Sequence, residues 1–211
     1  MRGIKKVNEI FYSLQGEGHN TGRPAVFVRF SGCNLKCPFC DTEHSAAYEM
    51  SDDEILSAVS RYPSRFVVLT GGEPSLQVDD AFVALLHDAG FEVAMETNGT
   101  RPVPSTIDWL TVSPKEAFLG SAGRPAITRC NELKCVFGGK AFDSTTSGLS
   151  LSLSCRDVSD YGIEADYYYL QPCDTGDRES NGTITAACME YVKEHPKWRM
   201  SLQTHKLVGF R

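Results

Sequence analysis

The sequence predicts an α/β fold in which a mostly parallel sheet forms a partial, open (βα) barrel. Short apolar runs typical of buried strands alternate along the chain with amphipathic helical stretches, which favours parallel strands covered by helices. The chain has 211 residues, whereas a full eight-stranded barrel typically takes about 250. We therefore expect a single domain over residues 1–211 whose barrel does not close.

The predicted elements have recognisable start and stop signals. A strand over residues 26–30 leads into a cysteine-rich loop, and a capping box at residues 51–54 opens the first helix. A second helix covers residues 79–89, and Gly90 ends it. Further strands are predicted at residues 66–69, 91–95, 109–112, 132–137 and 167–170, and a last helix at residues 183–194. Residues 138–162 are rich in Ser and Thr and fit either a short helix or a long surface loop.

Polar segments follow the carboxyl ends of five of these predicted strands. They are the cysteine loop and residues 70–74, 96–100, 113–115 and 171–174. The carboxyl ends of parallel strands meet at one edge of a sheet, where α/β enzymes carry their active sites. The sequence therefore predicts that these segments converge on one active site.

Charge and composition limit the class of protein. The formal net charge of −6 weighs against extended nucleic-acid binding, which needs Lys and Arg to neutralise phosphates. The first residues do not resemble a secretory signal, and no apolar run reaches transmembrane length. We therefore expect a cytoplasmic protein with no membrane partner and with reduced thiols. Scattered cysteines of this kind are predicted to be buried small hydrophobic residues; they are Cys130, Cys135, Cys155, Cys173 and Cys188.

Cys33, Cys37 and Cys40 offer three thiolates from one short loop with the spacing C-x₃-C-x₂-C. A cubane iron–sulfur cluster is normally held by four cysteines, so three leave one iron open to a small molecule. The alternative is a structural zinc site in which His44 provides the fourth ligand. The position of the loop at a strand end and the Gly-Gly-Glu-Pro segment one βα unit later, at residues 71–74, favour the cluster.

The cysteine loop and the Gly-Gly-Glu-Pro segment together resemble the radical S-adenosylmethionine (SAM) superfamily. Two glycines allow the backbone to approach a ligand closely, and that family uses this segment to contact SAM. The resemblance implies that Cys33, Cys37 and Cys40 ligate a [4Fe–4S] cluster whose open iron binds SAM. It also implies the radical SAM type of open barrel and chemistry through a 5′-deoxyadenosyl radical.

Further motifs narrow the resemblance to the 7-carboxy-7-deazaguanine synthases of queuosine biosynthesis. These motifs span nearly the whole chain and lie at residues 11–18, 40–42, 96–99, 113–115 and 203–206. That family converts 6-carboxy-5,6,7,8-tetrahydropterin to 7-carboxy-7-deazaguanine with loss of ammonia. The resemblance implies the same lyase activity, with hydrogen abstraction from substrate C6, and a requirement for Mg²⁺.

The resemblance also implies roles for individual residues, although it assigns no catalytic acid or base. The implied SAM-binding residues are Phe39, Asp41, Gly72, Ser113, Pro114, Lys115, Gln171, Pro172, Cys173 and Asp174. The implied substrate-binding residues are Leu14, Gln15, Gly16, Arg29, Thr70 and Arg211, with Glu17 and His205 as further candidates. Thr42 would give its hydroxyl oxygen to Mg²⁺, a cation that prefers oxygen ligands.

The expected partners are a pterin substrate, a flavodoxin- or ferredoxin-type reductant and a second copy of the chain in a homodimer. Two alternatives remain. A glycyl-radical enzyme activase shares the cysteine spacing and the Gly-Gly-Glu-Pro segment, although Thr42 and residues 14–18 and 203–206 argue against it. The other alternative is a non-catalytic zinc-binding module that uses His44.

Overall fold

The computed structural model describes residues 3–40, 42, 47–138 and 158–210. The strands in these residues are Ile4–Leu14 (β1), Pro24–Phe30 (β2), Tyr48–Ser51 (β3), Phe66–Gly71 (β4), Glu92–Thr97 (β5), Trp109–Val112 (β6), Arg129–Phe137 (β7), Glu164–Pro172 (β8) and Trp198–Met200 (β9). The helices are Asp52–Val59 (α1), Asp80–Asp88 (α2), Glu116–Leu119 (α3), Arg178–Glu194 (α4) and Thr204–Val208 (α5). Single 3₁₀ turns occur at Pro74–Leu76 and Gly120–Gly123.

All nine strands belong to one sheet with the order β3-β1-β2-β4-β5-β6-β7-β8-β9. Neighbours from β2 to β9 run parallel, whereas β1 is antiparallel to both β2 and β3. The sheet is open, with β3 and β9 as its edges. The prediction of a mostly parallel α/β sheet that does not close is therefore confirmed.

The six predicted strands are all present, with ends that differ from the prediction by at most three residues. The sequence did not reveal β1, because a register shift between Val7 and Glu9 interrupts its alternation of inward and outward side chains. It did not reveal β3 either, because this edge strand is short and Tyr48 is exposed on it. Most of the segment predicted as helix or loop, residues 139–157, lies outside the described residues.

Specific side chains explain where the helices begin and end. The predicted capping box is confirmed, because Ser51 accepts from the Glu54 backbone and Glu54 accepts from the Ser51 backbone. Gly90 follows α2 with a φ of 80°, as expected for the residue that ends a helix. In contrast, α4 begins at Arg178 rather than at residue 183, because the Asp177 side chain caps it. No helix within the described ranges is long and apolar enough to cross a membrane.

The two faces of the sheet carry different apolar clusters. On one face the strands pack against α1, α2 and α4 through fully buried residues such as Ile55, Phe82 and Ile184. The other face carries a smaller cluster that includes Phe11, which stacks on Phe27 with ring centroids 4.9 Å apart. Because the first face is sealed by helices, only the second is free to form a binding site.

Inward side chains on this second face change from apolar to polar near the strand ends. Residues two positions apart in a strand share a face, and paired residues in neighbouring parallel strands line up across the sheet. The apolar row is Phe27, Val68 and Ala94, and the polar row, two residues further along each strand, is Arg29, Thr70 and Glu96. The sheet therefore provides an apolar floor beneath a polar rim.

Truncation of the helix-facing core should destabilise the fold strongly. Leu86 of α2 is 0% exposed, so Leu86→Ala should lower the free energy of unfolding by about 2–5 kcal/mol. Leu207 of α5 is 69% exposed, and Leu207→Ala should change it by less than about 0.5 kcal/mol. Urea unfolding followed by circular dichroism compares the two variants. Equal losses in both would contradict the packing described here.

Candidate active site

A cavity of about 890 Å³ opens beside the carboxyl ends of the parallel strands. This volume lies towards the upper end of the range for small-molecule sites, about 300–1,000 Å³. The described site residues predicted from the sequence all line this cavity except Pro114. Pro114 is buried away from it, because Ser113 and Lys115 turn towards the cavity and the residue between them turns aside. Asp41, His44 and Arg211 lie outside the described residues.

The two glycines of the Gly-Gly-Glu-Pro segment are needed for contact with the cysteine loop. The Gly72 backbone donates to Phe30 O at 2.9 Å, and the next amide donates to Gly32 O at 2.9 Å. A Cβ added to Gly72 would lie 2.0 Å from Gly32 O, and one added to Gly71 would lie 2.3 Å from Phe30 O. Gly71 also has a φ of 120°, which side chains rarely allow. Both positions therefore require glycine before any ligand is considered.

Glu73 joins three loops at the strand ends. Its side chain is fully buried and accepts hydrogen bonds from Thr97 Oγ1 at 2.6 Å, Asn98 N at 2.8 Å and Ser75 N at 3.0 Å. Asn98 in turn donates through Nδ2 to Asn34 Oδ1 in the cysteine loop at 3.0 Å. The loops that follow β2, β4 and β5 are consequently fixed relative to one another.

The cysteine loop presents three thiols to the cavity. Burial raises the pKa of Cys33 and of Cys37, whereas Cys40 is exposed. The Leu35 amide donates to Cys33 Sγ at 3.4 Å, a type of contact that tunes iron–sulfur clusters. Within the described ranges no three His, Cys, Asp or Glu side chains converge on one metal position. The metal donors that the described part of this loop presents to the cavity are the three cysteine sulfurs, the ligand type that iron–sulfur clusters take, so these residues fit a three-cysteine cluster.

The loop after β6 faces the cysteine loop across the cavity. Lys115 donates through Nζ to Ser113 O at 2.7 Å and to Ser113 Oγ at 2.6 Å. Burial lowers the pKa of Lys115, and the Cys37 sulfur acts in the opposite direction. Phe39 contacts Phe118 edge to face, with ring centroids 4.6 Å apart. A ligand in the cavity would therefore meet polar atoms from this loop and the Phe39 ring, which Phe118 supports from behind.

Arg29 and Thr42 meet at another part of the cavity. Arg29 Nη1 donates to Thr42 Oγ1 at 3.3 Å, and Arg29 Nε donates to Glu9 Oε1 at 2.8 Å. The guanidinium carbon lies 5.7 Å from the ring centroid of Phe11. Glu9 holds one edge of the guanidinium fork, which leaves the other edge for an anionic ligand. Sequence reasoning missed Glu9 because it lies on the unassigned strand β1.

The C-terminal segment closes the cavity from the side of β9. Thr204 donates through N and Oγ1 to Gly16 O at 2.9 and 2.8 Å, and Lys206 Nζ donates to Asp174 Oδ2 at 2.7 Å. This hydrogen bond from Lys206 is the main cause that lowers the pKa of Asp174 to about 2. A Cβ on Gly16 would lie 2.4 Å from Nδ1 of His205. Residues after β9 thus connect the loop after β1 with the loop after β8.

Lys134 and Glu96 are cavity residues to which sequence reasoning gave no role. Lys134 lies on β7, and its Nζ is 2.5 Å from Glu17 Oε2 and 3.6 Å from Glu96 Oε2. The sequence held a signal for it, because Glu132 and Lys134 alternate with apolar residues in a predicted strand. Such alternation places both charged side chains on one face, opposite Leu133 and Cys135 in the helix-covered core.

Comparisons with a family model, with related sequences and with a solved structure all point to the same group of proteins. Residues 27–114 match the family model described as the radical SAM superfamily. The chain is 51% identical over 209 residues to the 7-carboxy-7-deazaguanine synthase of Bacteroides thetaiotaomicron, covering 99% of this chain and 100% of the relative. It is 40% identical over 227 residues to the enzyme of the same name from Burkholderia multivorans, covering 96% and 97%. The crystal structure of QueE from Escherichia coli is similar with a TM-score of 0.71 and 31% identity, covering 96% of this chain and 95% of that one.

A side chain at residue 72 should separate the two loops. Gly72→Ala should lower the free energy of unfolding by about 1–3 kcal/mol and reduce the iron bound per chain after anaerobic reconstitution. The control is Gly182→Ala in α4, where an added Cβ meets nothing within 4 Å and should leave iron content unchanged. Iron analysis and thermal unfolding measure both effects. Full iron content in a Gly72→Ala protein of normal stability would refute the predicted clash.

Proposed function

The chain belongs to the radical SAM superfamily and, within it, to the 7-carboxy-7-deazaguanine synthases, and from this membership we propose its reaction. It converts 6-carboxy-5,6,7,8-tetrahydropterin to 7-carboxy-7-deazaguanine with loss of ammonia, in the biosynthesis of queuosine and related deazapurines. The observation that carries the proposal is that a single cavity joins the three-cysteine loop to the Arg29–Thr42 pair. This reaction requires both a cluster site and an anion-recognition site, and here the residues of both sites line the same cavity.

The chain's own residues hold and enclose the cofactors. Cys33, Cys37 and Cys40 bind the [4Fe–4S] cluster, while Phe39, Gly72 and the loops at 113–115 and 171–174 bind SAM. A cluster and SAM bound there would supply one-electron chemistry that generates a radical beside the substrate. With the cofactors in place, the wall that these loops form would shield the reacting atoms from water, which would otherwise quench a reactive intermediate.

The polar rim carries a cation, Arg29, at one place and carboxylates at another, and these opposite charges orient the substrate. Arg29 offers guanidinium N–H donors to the pterin carboxylate, and Thr42 offers an oxygen to Mg²⁺ bound by the same carboxylate. Lys134 lies on β7, separated from the β2 strand of Arg29 by three strands. Around it, Gln15, Glu17 and Glu96 provide acceptors for the N–H groups of the pterin ring. A carboxylated pterin carries both kinds of group, so it binds in one orientation.

Several further assignments are part of the proposal. Asp41 contacts SAM, and Arg211 contacts the substrate, along with Leu14, Gly16, Thr70 and His205. The reductant is of the flavodoxin or ferredoxin type, and the enzyme acts as a homodimer in the cytoplasm.

The proposed reaction predicts product formation from a single substrate under anaerobic conditions. Protein reconstituted with iron and sulfide should be brown and, with SAM, Mg²⁺ and dithionite, should convert 6-carboxytetrahydropterin to the deazaguanine with release of ammonia. Chromatography with mass detection measures the product. Formation of 5′-deoxyadenosine without deazaguanine would favour an activase instead, and one bound zinc with no brown colour would favour a structural module.

Removal of the Thr42 hydroxyl should affect Mg²⁺ and leave the cluster intact. Thr42→Ala should raise the Mg²⁺ concentration needed for half-maximal activity at least about tenfold, since a metal-site oxygen is lost. The matched control is Thr183→Ala in α4, where the hydroxyl donates only to Glu179 O. Visible absorbance of the cluster should be the same in both variants. An unchanged Mg²⁺ response in Thr42→Ala would remove this residue from the metal site.

A further inference from the structure

Lys134 is a buried cation surrounded by carboxylates at the substrate side of the cavity. It is 5% exposed on β7, and its Nζ lies 2.5 Å from Glu17 Oε2 and 3.6 Å from Glu96 Oε2. Glu132, two residues earlier on the same face of the strand, is also buried and accepts from His19 N at 2.9 Å. Three carboxylates from three separate segments of the chain thus surround one ammonium group.

The carboxylate oxygens of Glu17 and Glu96 that do not face Lys134 each accept a hydrogen bond from a glutamine side chain. Glu17 Oε1 accepts from Gln203 Nε2 at 3.0 Å, and Glu96 Oε1 accepts from Gln15 Nε2 at 2.7 Å. Each carboxylate is therefore held by Lys134 on one oxygen and by a glutamine amide on the other. An ionised carboxylate has about four lone-pair positions, so both retain acceptor capacity for a ligand.

The charges in this cluster depend on one another. Burial would lower the pKa of Lys134, but Glu17, Glu96 and Glu132 together raise it. Burial would raise the pKa of Glu17, but the charge and hydrogen bond of Lys134 lower it. Burial raises the pKa of Glu132. The remaining charged or titratable groups facing the cluster are Lys115 from the loop after β6 and His205 from the C-terminal segment.

We propose that Lys134 is a positioning residue for the pterin: its ammonium lies between Glu17 and Glu96 and keeps both carboxylates turned towards the cavity. The inference rests on the proposed function and deepens it. Lys134 Nζ is the cation that both carboxylates share, so without it no shared cation would offset the repulsion between their like charges. With Lys134 present, the pair keeps an excess negative charge that accepts hydrogen bonds from the amidine-like N–H groups of the pterin ring.

A purely structural lysine would behave differently, and the chain offers one for comparison. Lys5 on β1 is 2% exposed, and its Nζ lies 2.8 Å from Asp52 Oδ1, outside the cavity. Its ammonium also lies 4.7 Å from the ring centroid of Phe82 in the helix-covered core. Lys5→Met therefore removes a buried ion pair of the same type without touching the substrate.

The experiment compares reconstituted wild type, Lys134→Met, Lys134→Arg and Lys5→Met. Lys134→Met should raise the KM for 6-carboxytetrahydropterin at least about tenfold, the size expected when a charge-assisted hydrogen bond is lost. Its KM should rise further as pH falls, because without Lys134 the burial of Glu17 raises the pKa of its carboxyl group and favours the protonated form. The KM of the wild type should not change with pH in this way, and Lys134→Arg should restore most of the affinity for 6-carboxytetrahydropterin. Cluster absorbance should not change.

The outcomes separate the two proposals. No turnover by wild type refutes the proposed function, whereas wild-type turnover with an unchanged KM and pH profile in Lys134→Met refutes the role of Lys134. Parallel losses in Lys134→Met and Lys5→Met, confined to kcat or stability, refute it as well.

A charge-balanced double variant covers the case in which Lys134→Met does not fold. Adding Lys134→Met to Glu17→Gln removes a cation together with its anion. If Lys134 acts through the carboxylates, the KM of the double variant should stay within about threefold of that of Glu17→Gln. A further rise of about tenfold would mean that Lys134 binds the substrate directly, and would overturn the positioning role.

Discussion

The buried carboxylate of Glu73 is the contact on which the geometry of the site depends. Loops after parallel strands are free to move apart, since the sheet fixes only their first residues. Glu73 removes that freedom by accepting from the loop after β5, which in turn binds the cysteine loop through Asn34. The contact between Gly72 and Gly32 adds a steric constraint. The distances between the cysteine loop and the polar rim are therefore fixed before any ligand binds.

The parts of the fold that follow local chemistry could be predicted from the sequence. Buried parallel strands are short, apolar and rich in β-branched residues, so β4 was recognised directly. Polar residues after such strands had to meet at one edge, and all described candidates except Pro114 line the same cavity. The cysteine spacing and the motifs spread along the chain were specific enough to predict the family, which the comparisons confirm. The roles of individual residues stay predictions.

The parts that depend on tertiary contacts could not be predicted. Strand β1 has a register shift between Val7 and Glu9, so its apolar and polar residues do not alternate in the way that predicts a strand. The start of helix α4 contains Ser180, Asn181 and Gly182, which are weak helix formers, so it depends on the Asp177 cap. Lys134 has partners that are distant in sequence, and Glu17 lies 117 residues away. Its interactions exist only once the sheet has formed.

The C-terminal segment determines when, during synthesis of the polypeptide, the site can be completed. Its hydrogen bonds to Gly16 and Glu17 span 188 and 186 residues of sequence. The loop after β1 leaves the ribosome early, but the residues that hold it are synthesised at least 186 residues later. A nascent chain can therefore build the sheet and the cysteine loop in order while its substrate pocket stays incomplete, since domains begin to fold from the N-terminus during synthesis. The pocket is thus completed only after the residues that follow β9 have been synthesised.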